Sequence, residues 1–266
     1  MRIHIWHTGL VYVDSAIPFR NSSKIPGGFG RGRKHKMLLP VSSYLIEHPL
    51  GKILVDTGWS ERVRTNPVKE TGITYTVSKP NLPYGWSIRE HLTRMQLEPE
   101  EIDYLILSHL DSDHVSGLKS VKNARNILVS ATEYKNSLKF NPRYVPKMWQ
   151  GTKLTTFEYQ KSKLGPFGRS YDLFGDDTVQ LIATPGHSRG LTSIRLKNEQ
   201  GNYILLASDV AYEQENISKY RLPGILANVS EEISSLGWVI NCTNDKMYSR
   251  VILNHDQRLE EEIIDF

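Results

Sequence analysis

Segment 105–118, LILSHLDSDHVSGL, restricts the fold of this chain most, because two histidines and two aspartates follow an apolar run almost at once. The run DYLILS, residues 103–108, predicts a buried strand, so the polar cluster lies where a strand ends and a loop begins. Unpaired charges in a partly dry pocket cost several kcal/mol, so they need compensation. Imidazoles and carboxylates together are ligands of divalent and trivalent metal ions. We therefore predict a metal site formed by His109, Asp111, Asp113 and His114.

Other interpretations explain fewer of these residues. Asp113 can cap the following helix and Asp111 can form a turn hydrogen bond, both common uses of aspartate. A calcium-binding EF-hand loop beginning at Asp111 would place Ser116 where glycine is needed and Lys122 where the bidentate glutamate is needed. The Asp-x-Asp element of a nucleotide-sugar transferase, which holds a metal on a diphosphate, explains the two aspartates but leaves both histidines without a role.

Three further potential ligands follow apolar runs later in the chain. His187 comes after VQLIATPG, Asp209 after YILLAS, and His255 after SRVILN, each at the end of a predicted strand. Together with the first four residues they make a set large enough for two metal ions that share a carboxylate.

The composition is that of an ordinary soluble globular protein and does not indicate a nucleic-acid or membrane partner. With 266 residues and 39% hydrophobic content, the chain fits one domain with a sizeable core, to which we assign residues 1–266. The formal net charge is only +4, and no region is basic enough to predict a nucleic-acid groove. The first residues lack the apolar core of a signal peptide or membrane span, and a single cysteine excludes an internal disulfide. We expect a cytoplasmic protein in which Cys242 is a packed residue.

Strand and hairpin patterns dominate the chain. The turns HPLG (48–51) and NEQGN (198–202) each separate two apolar runs, which predicts two hairpins and mainly antiparallel pairing. Helices are predicted between the strands, one capped by Ser87 and one capped by Ser230. We predict an α/β fold with mixed, mainly antiparallel sheets flanked by helices.

Long loops are predicted over 24–36 and 135–169. The first is Gly-rich and basic, but its glycines lack the dinucleotide-binding spacing, so we expect a solvated loop, with a mobile flap beside the site as the alternative. Aromatic residues of 83–86, of 144–150 and of the Gly-rich segment are candidates for lining an acyl-chain groove. The same residues could equally close a small hydrophobic core beneath a loop.

The ligand motifs resemble those of the metallo-β-lactamase superfamily, with His-x-Asp-x-Asp-His at 109–114, Thr-Pro-Gly-His at 184–187, a strand-ending aspartate and a final histidine. LPVSSYLIEHPLGKILVDTG and SDVAYEQEN look like its N-acyl homoserine lactonase branch, the quorum-quenching lactonases. The resemblance implies an αββα sandwich with a dinuclear site at the sheet edge. It assigns one ion to His109, Asp111 and His187, the other to Asp113, His114 and His255, and a bridging role to Asp209.

One position departs from the family, which usually has a histidine where this chain has Asp111. The resemblance implies two divalent ions, zinc by family, and a carboxylate should shift the preference of its site somewhat toward iron or manganese. The flavodiiron proteins also carry a carboxylate here and bind iron, but this chain lacks their flavin-binding domain. Asp56 matches a position that usually holds a buried carboxylate behind the ligands.

The activity implied by the resemblance is opening of a lactone or ester by hydroxide that bridges the two ions. Tyr212 would polarise the carbonyl oxygen, unless it only packs below the site, and Asp113 would pass a proton to the departing alkoxide. The expected substrate is a small acyl lactone or ester, with no nucleic-acid or membrane partner, and a homodimer is left open. The alternatives are thioesterase or phosphodiesterase activity, or an iron-dependent oxidoreductase or oxygen sensor.

Overall fold

The computed structural model describes residues 1–20 and 23–266, and these residues form two β-sheets and six α-helices. The strands are β1 (Arg2–Asp14), β2 (Lys36–His48), β3 (Gly51–Val55), β4 (Ser78–Asn81), β5 (Tyr104–Leu107), β6 (Asn126–Ser130), β7 (Thr155–Phe157), β8 (Gln160–Lys161), β9 (Arg169–Asp172), β10 (Val179–Ala183), β11 (Thr192–Lys197), β12 (Tyr203–Leu206), β13 (Tyr248–Ile252) and β14 (Glu262–Asp265). The helices are α1 (Pro67–Thr71), α2 (Ile88–Arg94), α3 (Ser112–Val115), α4 (Ala131–Ser137), α5 (Gln214–Ser218) and α6 (Val229–Asn244).

Both sheets are mixed. The first has the order β14-β1-β2-β3-β5-β6-β7, with β4 also paired to β1. Its pairs are antiparallel as far as β3, whereas β3, β5, β6 and β7 run parallel to one another. The second has the order β13-β12-β11-β10-β9-β8 and is antiparallel except between β12 and β13. The prediction of mixed, mainly antiparallel sheets is confirmed, and both predicted hairpins are present as β2–β3 and β11–β12.

The two sheets pack face to face over a shared apolar core. Ile46 and Ile106 of the first sheet meet Leu181 and Leu206 of the second in this core, and all four are almost fully buried. The outer face of the first sheet is covered by α2 and the turns around it, and the outer face of the second sheet is covered by α6. Burial of these faces stabilises the fold in proportion to the apolar area removed from water. The layers therefore follow the order helix, sheet, sheet, helix, as the αββα resemblance implies.

The helix starts show one correct and one wrong prediction. Ser87 caps α2 through a capping box, in which its hydroxyl accepts from Glu90 N at 3.2 Å and the Glu90 carboxylate accepts from Ser87 N at 2.9 Å. The cap of α6 is Asn228, whose side chain accepts from the backbone N of Glu231 at 3.2 Å, and not Ser230. Ser230 lies inside the first turn of α6. Asparagine and serine are about equally good caps, so residue preference does not exclude a helix that begins two positions earlier, at Asn228.

The predicted loop over 135–169 is wrong in part. Helix α4 extends into it, and β7 and β8 lie within it. Tyr144, Met148 and Trp149 are buried in the core over the first sheet, so the second of the two open interpretations, a hydrophobic core, describes them. The 24–36 segment is irregular apart from 3-10 turns at Pro26–Gly28 and Arg33–His35.

Helix α6 carries Cys242 on its packed side. The thiol is buried, as predicted, and burial raises its pKa to about 11, which leaves it protonated and unreactive at neutral pH. Among the described residues, no helix has the length and apolar character needed to cross a membrane.

Candidate metal centre

All seven predicted ligand residues lie together at one edge of the molecule, where four strands end. Strand β5 leads into the segment with the first four, and β10, β12 and β13 lead to His187, Asp209 and His255. Their ligand atoms form three overlapping groups, and within each group the atoms lie within 4.8 Å of one another. The groups are His109, Asp111 and His187; His109, His114 and Asp209; and Asp113, His114 and His255.

Asp56 lies behind the predicted ligands and supports two of them, His114 directly and His109 through Ser108. It follows β3, which runs parallel to β5, and therefore lies beside Ser108. Its carboxylate accepts hydrogen bonds from Ser108 N at 2.8 Å, Ser108 Oγ at 2.7 Å and His114 Nδ1 at 2.8 Å. The φ angle of Asp56 is 57°, a left-handed conformation that is costly outside glycine and is typical of functional sites. A carboxylate on Nδ1 fixes the tautomer of His114 and directs its Nε2 to the centre.

His109 and His255 are oriented in the same way. The Ser108 hydroxyl donates to Asp56, so its oxygen is left to accept from His109 Nδ1, 3.0 Å away. The carbonyl oxygen of Pro40 accepts from His255 Nδ1 at 2.7 Å. In both rings Nδ1 is engaged by this contact, so Nε2 is the nitrogen left to bind an ion.

Four of the ligand residues, Asp113, His114, Asp209 and His255, form what we call the inner group. Asp209 lies at its centre, with Oδ1 3.2 Å from His114 Nε2 and Oδ2 3.3 Å from His255 Nε2. Despite this proximity, His114 Nε2 and Asp209 Oδ1 are buried without a hydrogen-bond partner in the described part of the chain. Leaving such atoms unpaired costs about 1–3 kcal/mol each. A cation held between them would compensate both atoms, so the inner group fits a divalent metal ion.

The charges of the inner group favour a positive ion. Burial would lower the pKa of His114, but Asp209, Asp56 and Asp113 together raise it well above its ordinary value. Burial opposes protonation of His255 too, yet Asp209 and Asp113 raise its pKa. The same two histidines hold the pKa of Asp209 well below its ordinary value despite its burial. Binding of a metal ion at this group would therefore displace any protons that the rings carry.

Asp111, Arg143 and His187 form a second cluster, which we call the arginine group. Arg143 donates from Nε to Asp111 Oδ1 at 2.6 Å and from Nη2 to Asp111 Oδ2 at 2.9 Å. Its Nη1 donates to the carbonyl oxygen of His187 at 2.5 Å, and its Nη2 lies 2.6 Å from His187 Nε2. The structure thus brings Asp111 and His187 to the centre as predicted, but both already face a guanidinium. This cluster fits a metal ion only if Arg143 moves away.

The charge of Arg143 sets the protonation of its neighbours. Burial would raise the pKa of Asp111, but Arg143 and His109 hold it well below its ordinary value. Burial and the Arg143 charge lower the pKa of His187 to about 4, so this ring is neutral at pH 7. His187 Nε2 can therefore accept a hydrogen bond from the guanidinium.

Sequence analysis missed Arg143, which lies 32 positions after Asp111 in a segment without periodic pattern. A signal was present in Asp111 itself. Replacing a neutral histidine by a carboxylate adds a negative charge, and a buried negative charge requires a partner.

Tyr212 lies between the two groups. Its ring stacks on His255 with centroids 4.7 Å apart and meets the His187 ring edge-on at 5.9 Å. Burial and the neighbouring carboxylates, Asp209 foremost, raise the pKa of the phenol well above its ordinary value. The hydroxyl therefore keeps its proton at neutral pH and can act as a hydrogen-bond donor.

Glu133, also missed, ties the loops that carry the ligands to one another. It is fully buried at the start of α4, and its carboxylate accepts four hydrogen bonds of 2.8–3.2 Å. The donors are Leu110 N, Tyr144 Oη, Ser188 Oγ and Gly190 N. The segment after β5 and the segment after β10 are thus fixed relative to one another.

Comparison with known proteins identifies the family of the chain and several relatives. The family model of the Metallo-beta-lactamase superfamily matches residues 37–236. The chain is similar to the N-acyl homoserine lactonase AiiA of Bacillus thuringiensis subsp. kurstaki, with 34% identity over 203 residues, which cover 74% of this chain and 71% of that protein. It is similar to the N-acyl homoserine lactonase AttM of Agrobacterium fabrum, with 27% identity over 224 residues and 82% of each chain covered.

A solved structure is similar over almost the whole chain. It is an N-acyl homoserine lactone hydrolase with the product N-hexanoyl-L-homoserine bound at its catalytic metal centre. The TM-score is 0.78 at 26% sequence identity, with 96% of this chain and 93% of that chain covered.

Proposed function

This chain belongs to the metallo-β-lactamase superfamily, and on that basis we propose that it is a metal-dependent hydrolase that opens the lactone ring of N-acyl homoserine lactones or of similar lactones and esters. The observation that carries the proposal is the inner group, where histidine nitrogens and carboxylates converge and two buried atoms of the described structure lack partners. The N-acyl homoserine lactonases AiiA and AttM support the substrate class.

Divalent metal ions are implied by the superfamily, and we propose the inner group as ligands of one of them, with His109 Nε2 beside it. Zinc is our proposal from the family, with iron or manganese as the alternatives. When bound, such an ion lowers the pKa of a coordinated water toward about 7, so that hydroxide is available at neutral pH. The second ion expected from the sequence would need Asp111 and His187, whose ligand atoms contact Arg143.

Two side chains handle the remaining hydrogen bonds and protons in this proposal. Tyr212 keeps its phenolic proton and donates to the carbonyl oxygen of the lactone as negative charge develops there. The Asp113 side chain is 13% exposed, compared with 2% for Asp209, so Asp113 is the carboxylate that an attacking water can reach. It takes up the proton that the water releases and passes it to the ring oxygen as the ring C–O bond breaks, which gives the open hydroxy acid.

A cavity of about 440 Å³ beside the segment 224–229 offers room for an acyl chain. Its lining includes Ile25 of the Gly-rich segment, Ile225 and Leu226. The next residue, Ala227, donates a backbone hydrogen bond to the carbonyl oxygen of His187 at 3.1 Å, which links the cavity wall to the centre. We propose that this cavity takes the role first considered for the aromatic residues of 144–150.

We also propose that residues 1–266 form one hydrolase domain. Strand β14 pairs with β1, so the last strand completes the sheet that the first one begins. The ligand residues come from both sheets, and neither sheet carries the inner group alone.

A substrate panel tests the activity. Zinc-loaded enzyme is incubated with N-hexanoyl- and N-decanoyl-homoserine lactone, a thioester and a phosphodiester, and the products are measured by liquid chromatography. We expect ring opening of the lactones, and its loss in His255→Ala, which removes one inner-group ligand and leaves the arginine group in place. Survival of the lactones alongside cleavage of the thioester or phosphodiester would refute the substrate assignment.

A further inference from the structure

We propose that the guanidinium of Arg143 takes the place of one of the two metal ions, so that this hydrolase works with a single divalent ion in the inner group. The proposal rests on the proposed function, because it concerns the same centre. It departs from the pair of ions that the ligand motifs predict.

The guanidinium lies where an ion bound by Asp111 and His187 would have to lie. Zinc sits about 2.0–2.2 Å from a histidine nitrogen or a carboxylate oxygen. Arg143 Nη2 is 2.6 Å from His187 Nε2 and 2.9 Å from Asp111 Oδ2. A neutral imidazole has one lone pair, so His187 Nε2 serves either the guanidinium or an ion, but not both.

Arg143 is held in this position by several bonds at once. Nε and Nη2 bind the two oxygen atoms of Asp111 as a fork, and Nη1 binds the carbonyl oxygen of His187. Forked arginine–carboxylate pairs are the stronger, geometrically specific kind of ion pair. The Arg143 side chain is only 12% exposed, so an incoming ion would have to expel a cation that is largely shielded from water.

The formal charges of the ligand carboxylates match one divalent ion and one guanidinium. Asp111, Asp113 and Asp209 bring three carboxylates to the centre, while Asp56 lies behind them and accepts hydrogen bonds from Ser108 and His114. One divalent ion together with one guanidinium neutralises the three negative charges of the ligands. Uncompensated charge in a buried site is costly. We therefore regard Asp111 and Arg143 as a pair, in which the positive charge of Arg143 balances the negative charge that Asp111 brings to the site.

The two groups also differ in which atoms remain unpaired. In the described part of the chain, His114 Nε2, Asp209 Oδ1 and the neighbouring His109 Nε2 have no hydrogen-bond partner, as expected for atoms that await an ion. In the arginine group His187 Nδ1 is also unpaired among the described residues, but both oxygens of Asp111 and Nε2 of His187, the atoms that would bind a second ion, have a partner in Arg143. A guanidinium supplies fixed charge and N–H donors but has no open coordination position, so water activation falls to the inner group alone.

Zinc stoichiometry tests the proposal without relying on activity. Each protein is stripped with a chelator, reloaded with excess zinc, dialysed and analysed by inductively coupled plasma mass spectrometry. We expect about one zinc ion per chain in the wild type and about two in Arg143→Ala, as in two-metal sites of this kind. The matched control is Arg125→Ala, which removes an exposed arginine paired with Asp103 and should leave the ratio at about one.

Two zinc ions in the wild type, or one ion in both the wild type and Arg143→Ala, would overturn the proposal. Anomalous X-ray diffraction from zinc-loaded wild-type crystals does not depend on any variant folding. We expect a single peak at the inner group, with Arg143 still on Asp111, and a peak between Asp111 and His187 would overturn the proposal. Lactone opening by an enzyme with two ions would refute only the role of Arg143, whereas a wild type that takes up no zinc would refute the hydrolase as well.

Discussion

The inner group and the arginine group lie side by side at the same strand ends and are built from the same residue types, but their charges are balanced differently. In the inner group, two carboxylates raise the pKa of the histidines, and buried atoms lack partners within the described residues. In the arginine group, Arg143 binds both oxygens of Asp111 and lowers the pKa of His187 to about 4. The difference shows that a set of ligand residues predicts where a cation lies. It does not predict whether that cation is a metal ion or an arginine side chain.

Replacing one histidine in each group should give the largest difference in zinc content and activity between the two groups. We expect His114→Ala to lose its zinc and to open lactones more than about 100-fold more slowly, because a change even behind a ligand costs about 10–100-fold. His187→Ala should keep its zinc, since the inner group is intact. Zinc per chain and kcat/KM measure both effects, and equal zinc loss in the two variants would break the comparison.

Tyr212→Phe should affect catalysis without affecting either group. The ring stacking on His255 is retained and only the hydroxyl is lost. We expect kcat to fall on the order of 100-fold, the usual cost of losing a donor to a developing oxyanion, with unchanged zinc content. An unchanged kcat would assign Tyr212 a packing role instead.

Asp56→Asn should weaken only the inner group. The asparagine side chain tolerates the left-handed backbone but lacks the negative charge behind His114, and we expect zinc affinity to fall about 10–100-fold. Asp103→Asn is the control, because it removes a carboxylate that accepts from Lys52 N and Arg125 outside the centre. A competition titration with a zinc chelator measures both variants, and equal affinities would argue against a supporting role for Asp56.

Glu133→Gln should have the smallest effect on metal binding and act on stability instead. An amide cannot accept from all four donors of the native carboxylate, and we expect a loss of about 1–3 kcal/mol. Thermal unfolding in the presence of zinc should show a melting temperature lower by several degrees. Zinc content should remain that of the wild type, because Glu133 contacts neither ion-binding carboxylates nor imidazoles of the inner group.

The convergence of the seven candidate ligand residues and most of the fold could be predicted because their signals are local. Apolar runs that end in His or Asp placed the seven residues at strand ends, and turn residues located the two hairpins. The Ser87 cap followed from its own capping box, whereas Ser230 was the wrong cap for α6, because Asn228, two positions earlier, is a comparable capping residue.

What could not be predicted depends on contacts between distant segments. Arg143 contacts Asp111 across 32 positions, and Glu133 accepts hydrogen bonds from three segments. Neither contact is indicated by a periodic pattern in the sequence. From the sequence, the aromatic residues of 144–149 could either line a groove or close a hydrophobic core. Only their packing against the first sheet distinguishes the two.

The pairing of Arg143 with Asp111 has a consequence for a cell short of the metal that the enzyme uses. The guanidinium is covalently part of the protein, so no chelator can strip it and no competing ion can exchange with it. A chain made during metal starvation would therefore fold with the charge of Asp111 already neutralised and with Asp111 and His187 already aligned. Only the inner group would lack its ion, and binding of one metal ion would then complete the enzyme.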